Sequence, residues 1–161
     1  MTTARNATIK SIIAWFDSEA VSPEAGQGIA WLRILPFIGL HIGCIAVFWV
    51  GFSWPALIAL LLTYSLRMFA ITGFYHRYFS HKTFKTHPWM EVLFAFIGAS
   101  SAQRGPLWWA AHHRKHHRHS DTEQDLHSPI HGFMQSHMAW FLNHRAFATD
   151  YAVIQDFAKR P

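Results

Sequence analysis

The sequence predicts an all-α membrane protein: a transmembrane helical hairpin, then a cytosolic His-rich helical region with interfacial amphipathic helices. Three observations carry that expectation. Hydrophobic residues make up 51% of the 161-residue chain and charged residues only 14%, against roughly 25% in soluble domains. The mean hydropathy is only +0.08, so the apolar residues are concentrated rather than spread. Residues 34–66 contain no Asp, Glu, Lys or Arg, and twelve of the thirteen His fall between His76 and His144. Eight Trp and fourteen Phe exclude a disordered chain. A single Cys excludes an intrachain disulfide and any cysteine-based zinc site.

Residues 1–33 read as a cytosolic N-terminal segment of mixed charge. They lack the uninterrupted apolar core and small-residue cleavage pattern of a secretory signal. Within them, residues 11–20 are expected to form a short amphipathic helix on the membrane surface. As one helix the uncharged run would be about 50 Å long, beyond a hydrocarbon core of roughly 30 Å, so it must break. Gly51-Phe52-Ser53-Trp54-Pro55 is the place, because Pro cannot continue a helix and Gly and Ser tolerate a turn. This leaves spans near 34–50 and 55–74, a hairpin over 34–74. Two buried core helices in a soluble bundle are the alternative, but such helices rarely lack a polar face for so long. Arg67, costly at mid-bilayer, is expected to snorkel towards Tyr75-His76-Arg77 or to pair inside the bundle.

Arg5, Lys10 and Arg33 precede the hairpin, no basic residue lies in its turn, and ten follow in 75–161. Both termini are therefore expected in the cytoplasm. The net charge of +5 then faces anionic headgroups, which makes membrane lipid the expected partner rather than nucleic acid. Residues 89–99 and 133–142 are too short to span and read as interfacial helices, with Trp89 and Trp140 at headgroup depth. Residues 75–142 thus form the His-rich region. Residues 143–161, without a further apolar run, read as a truncated tail with no closing element.

The histidines cluster at ligand spacing. The first group is H-x4-H at His76 and His81; the second is H-x2-H-H at His113, His116 and His117. On an α-helix, positions 113, 116 and 117 fall at about 0°, 300° and 40°, so three imidazoles leave one face. His112 shares a face with His116, so spacing alone does not exclude it. His76 and His81 would diverge by about 140° on an ideal α-helix and converge only if the helix ends or bends there. Ligand sets rich in imidazole and free of thiolate suit iron, copper or zinc. The competing reading of 112–118 is a solvated or phosphate-binding basic face, with Trp108 and Trp109 as stacking residues. Two clusters directly after a membrane hairpin favour metal. His41 is expected to be a hydrogen-bonded packing residue, His87 a turn residue before Pro88, and Cys44 a small buried hydrophobe.

The stretches TGFYHRYFSHKTFKTH, AQRGPLWWAAHHRKHHRHSDTEQDLHSP and GFMQSHMAW resemble the membrane fatty acid desaturases. The likeness, over residues 73–140, is to the bacterial form of the acyl-CoA Δ9 (stearoyl-CoA type) branch. It implies a cytosol-facing non-haem diiron centre in a multi-pass protein of the bacterial inner membrane. By position, the family's metal ligands fall on His76, His81, His113, His116 and His117, which favours His113 over His112. The implied reaction is O2-dependent removal of two hydrogens from a saturated acyl-CoA or related acyl chain, leaving a cis double bond. Electrons would come from a separate carrier of ferredoxin, rubredoxin or cytochrome b5 type with its reductase. The chain itself shows no flavin, haem or Cys-rich iron–sulfur signature. The resemblance places Gln103, Arg104 and Trp108 at the substrate entry. Asp121, Asp125 and His127 are candidates for orienting the ligand imidazoles. Family members carry a third H-x2-H-H box after a second pair of membrane helices, and no such motif follows His117. The chain is therefore expected to correspond to the N-terminal half of a desaturase, inactive alone. A second departure, Leu126 where the family commonly has Pro, is expected to matter little. The alternatives are a non-catalytic membrane metal-binding protein and a related diiron hydroxylase.

Overall fold

The computed structural model describes residues 28–159, so the surface helix expected at 11–20 lies outside the described residues. Every regular element among these is helical, and the one extended feature is an isolated antiparallel bridge between Ile29 and Asn143. The first apolar stretch forms α1 (Trp31–Cys44) and the short α2 (Val47–Val50), and the second begins as α3 (Trp54–Phe69). The break falls where expected. Gly51 takes φ +72°, the left-handed region open to glycine, and Pro55 sits in the first turn of α3, where its missing N–H costs nothing.

Arg33–Val50 and Trp54–Ser80 are each long and apolar enough to cross a membrane, with mean hydropathies of 1.8 and 1.7. Only 6% and 11% of their most apolar 18-residue windows are buried, so those faces are left largely uncovered among the described residues. Cys44 corrects its expectation: it is exposed, because nothing among the described residues covers that face of the helix. His41 donates from Nδ1 to the Phe37 carbonyl one turn back, at 2.8 Å.

The second stretch does not end at residue 74. It continues as a π-helix, Ala70–Ser80, so the expected boundary between hairpin and His-rich region falls inside one helix. This segment is the centre of a compact unit formed by residues 43–117 and 150–159. Against it packs α4 (Pro88–Ala99), which starts after His87 in an extended turn and keeps Trp89, Val92 and Phe96 exposed. Phe74 stacks on Phe94 with centroids 4.0 Å apart. Tyr75 is fully buried and donates its hydroxyl to the Ala95 carbonyl at 2.8 Å, while the Tyr78 hydroxyl meets the Glu91 carboxylate. Arg67 takes the pairing option, donating from Nε to Ser100 Oγ at 3.1 Å.

Helix α5 (Pro106–His119) adds Ala110 and Ala111 to the same core. The expectation of a C-terminal tail without closing structure is overturned. A 3-10 turn at Tyr151–Ile154 leads into α7 (Gln155–Ala158), and Ile154 and Phe157 are buried in that core. Two apolar anchors three residues apart were too sparse a pattern to announce a helix.

The second unit comprises residues 28–42 and 118–149. Ala30 N–H donates to the Leu142 carbonyl at 2.9 Å and His144 N–H to that of Gly28 at 3.1 Å. The helix expected at 133–142 is present as a π-helix, Gln135–Ala139, running into α6 (Trp140–Leu142).

Gly98 lies where α4 meets Tyr75. A Cβ there would stand 2.3 Å from Tyr75 Cε1, and the ring cannot retreat because its hydroxyl is anchored. Ala gains about 1 kcal/mol in helix propensity, whereas overpacking costs about 1–3 kcal/mol. Gly98→Ala is therefore expected to lower the thermal unfolding temperature in detergent, and an unchanged or raised midpoint would refute this packing.

Candidate metal centre

A π-helix has i→i+5 hydrogen bonds and roughly 4.4 residues per turn, so residues five apart stand nearly above one another. His76 and His81 are five apart, and the His81 N–H donates to the His76 carbonyl at 3.2 Å. Their ring centroids lie 4.7 Å apart. The divergence expected of an α-helix is thus removed where the helix widens and then ends, with His81 as its C-cap. On α5, His113 and His117 are one turn apart and face the same pair. The His113 centroid is 4.6 Å from that of His76, and the His117 centroid is 4.7 Å from that of His81.

One ring nitrogen from each of His76, His81, His113 and His117 lies within 4.8 Å of the other three. His113 Nε2 is 3.1 Å from His81 Nε2 and 3.0 Å from His117 Nε2. Ligands at roughly 2.1 Å from a metal are separated by about 3.0 Å when they subtend a right angle, so these spacings fit a common ion. Hydrogen bonding does not explain them as well. A neutral imidazole nitrogen either donates one proton or accepts on one lone pair, and His113 Nε2 faces two partners.

The electrostatics favour the same use. Burial, then the neighbouring His117, His76, His81 and His116, push the His113 pKa down to about 3. Burial and the adjacent His76, His117 and Arg114 also hold His81 below its usual value. Both therefore keep free lone pairs at neutral pH, the state a metal requires.

The fifth expected ligand, His116, stands outside this group, its centroid 6.2 Å from His113 and 5.6 Å from His117. His113 and His117 differ by about 40° around the helix, and position 116 lies about 100° from 117, so it leaves from the edge of that face. His112 turns to Trp108, at 4.4 Å. Gln103 accepts from the Trp109 indole N–H at 3.1 Å. The Arg104 guanidinium lies 4.4 Å over Trp108, which is itself nearly buried. In the other unit Asp121 has φ +61° in the turn after α5. Asp125, 3% exposed, takes His127 Nδ1 at 3.1 Å, and the His127 ring stacks on Trp140.

Sequence reasoning passed over Trp109, Arg114 and Asp156. Trp109 stacks on His113 at 4.6 Å, and its position one turn before His113 was the available signal. Arg114 carries a bidentate pair with Asp156 at 2.7 and 3.0 Å, which holds the Asp156 carboxyl well below the usual range. No local pattern links residues 42 positions apart.

Four imidazoles converge here, two at the end of the long apolar helix and two on α5, and together they could hold a metal ion. The Fatty acid desaturase family profile matches residues 52–161, and the chain belongs to that family. It is 38% identical to an sn-1 stearoyl-lipid 9-desaturase of Anabaena variabilis over 83% of this chain and 50% of the relative. It is 40% identical to Delta-9 acyl-lipid desaturase 1 of Arabidopsis thaliana over 64% of this chain and 32% of the relative. With an acyl-CoA 5-desaturase of Anemone leveillei the identity is 39%, over 78% and 42%. The chain thus spans a third to a half of the length of these curated relatives. No solved structure matches it significantly.

A pH dependence follows from His113. Between its folded pKa of about 3 and the free value of 6.5, the unfolded chain binds more protons. The metal-free protein is therefore expected to lose stability as pH falls from 6.5 towards 3 and to keep it in full above 6.5. Asp156 adds loss only below its ordinary value of 3.8. Denaturant unfolding of wild type and His113→Gln across pH 4–7 checks this: the variant should show the shallower decline.

Proposed function

We propose that this chain forms the iron-binding part of a membrane-bound, non-haem diiron fatty acid desaturase. The observation that carries the reading is the His76, His81, His113 and His117 cluster at the end of the long apolar helix Trp54–Ser80. The exposed apolar faces of α1 and α3 support a transmembrane hairpin, with the basic flanks and both termini on the cytoplasmic side. The bacterial inner membrane is the membrane this implies.

When bound, iron with O2 supplies an oxidant strong enough to remove hydrogen from an unactivated C–H bond. The overall balance is simple. Two hydrogens leave adjacent carbons of a saturated acyl chain, a cis C=C forms, and O2 is reduced to two waters. The two further electrons come from a separate carrier, of ferredoxin, rubredoxin or cytochrome b5 type, and two protons from solvent. The chain's own residues hold and position. His81 and His113 stay neutral, Trp109 stacks on the half-buried His113, and the aromatic core around Phe74 and Tyr75 fixes the helix that carries His76 and His81.

His116 is the fifth ligand in this proposal. Two iron shells need more donors than five imidazoles, and the remainder belong to the complete desaturase, of which this chain supplies an N-terminal half. Asp121, Asp125 and His127 orient ligand imidazoles, and Gln103, Arg104 and Trp108 line the way in for the acyl substrate. Relatives named as acyl-lipid 9-desaturases and as an acyl-CoA 5-desaturase support an acyl substrate on either carrier, and the acyl-CoA Δ9 type is proposed from the sequence motifs alone.

The test is iron content after anaerobic Fe2+ loading of the detergent-purified chain. Iron retained through desalting by wild type is expected to fall to background in a His113→Gln, His117→Gln double variant of unchanged helical content. Retention of the full load by that variant would overturn the reading.

A further inference from the structure

We propose that Arg114 is a positioning residue for the metal centre. Its guanidinium locks α5 to the end of the π-helix in the rotation that makes the two histidine pairs meet. The inference rests on the four histidines being a metal site, and concerns a residue that touches neither metal nor substrate.

A guanidinium has five N–H donors in a planar fork, and Arg114 uses all of them. Nε donates to the Ser80 carbonyl at 2.8 Å, and Nη2 to the Phe79 carbonyl at 2.8 Å. Nη1 donates to the Val153 carbonyl at 3.0 Å. Nη1 and Nη2 also reach the two Asp156 carboxylate oxygens at 2.7 and 3.0 Å. The side chain is only 18% exposed, so these bonds are shielded from competing water.

The acceptors explain the geometry. Phe79 and Ser80 end the π-helix, where carbonyls lack intrahelical donors, and Ser80 immediately precedes His81. Arg114 itself lies between His113 and His117 on α5. Rolling α5 about its axis would swing both imidazoles away from His76 and His81, and the fork opposes that roll from the adjacent face. Asp156 completes the clamp from α7 and also takes Lys82 at 2.5 Å, while Asp150 takes Lys115 at 2.7 Å. The C-terminal segment therefore presses on the same two elements that carry the ligands. A lysine at 114 could keep the charge pair but, as a point charge, could not hold both carbonyls and the carboxylate at once.

The experiment is Co2+ titration of the metal-free, detergent-purified chain, read by the cobalt d–d absorption band. Helical content and unfolding midpoint are measured in parallel for wild type, Arg114→Lys, Asp156→Asn and His113→Gln. Supporting tissue around metal ligands typically sets affinity by about 10–100-fold. Arg114→Lys and Asp156→Asn are expected to weaken Co2+ binding by about 10-fold or more and to shift the band, with helical content retained. Wild-type affinity and band shape in both would overturn the inference while leaving the metal site intact. The absence of any His113-dependent band in wild type would overturn the metal reading, and the inference with it.

Discussion

The architecture depends on one constraint: two histidines five residues apart on a single helix must point the same way. An α-helix forbids it and a π-helix permits it. π-helical hydrogen bonding is rarely sustained, yet here it covers the eleven residues Ala70–Ser80. Its inward face, Phe74, Tyr75, Tyr78 and Phe79, is buried against α4, α5 and α7, and the burial offsets the poorer backbone geometry. The helix that carries His76 and His81 is also the helix around which the core is built. Convergence of the imidazoles and packing of the core are one requirement.

A second consequence is electrostatic. Four imidazoles with donor atoms inside 4.8 Å of one another would repel strongly if protonated. Burial and mutual proximity keep His81 and His113 neutral instead. Arg114 adds to the field that keeps His81 neutral while pairing with Asp156, and Lys115 pairs with Asp150. The basic run His112–His119 that resembled a phosphate-binding face is therefore divided: His113 and His117 turn to His76 and His81, and Arg114 and Lys115 turn to carboxylates of residues 150–156.

Much of this was legible in the sequence. The hairpin break at Gly51–Pro55, the helix at 88–99 and the clustering of His76, His81, His113 and His117 all followed from charge gaps, proline placement and spacing. Three things were not. The π-helix was hidden because spacing arguments assume 3.6 residues per turn, although the helix end to which the H-x4-H pair pointed does fall at Ser80. The division of the H-x2-H-H box was hidden too, because spacing alone does not show that His113 and His117 lie nearest His76 and His81 while His116 leaves from the edge of that face. The closing segment at 151–158 escaped because 3-10 turns carry no long apolar period, and its anchor Asp156 acts across 42 positions of chain.

The two ligand pairs are separated by a 32-residue excursion between His81 and His113 that contains all of α4. During synthesis the first pair emerges well before the second, and two imidazoles alone chelate far more weakly than four. A full donor set exists only once the intervening loop has closed and α5 has docked, so the entropy of that closure is met by protein packing rather than by the metal. For a metal ion, order of assembly would thereby act as a filter: a cation meeting the nascent chain would find two of the four imidazoles, and the other two only once α5 has docked.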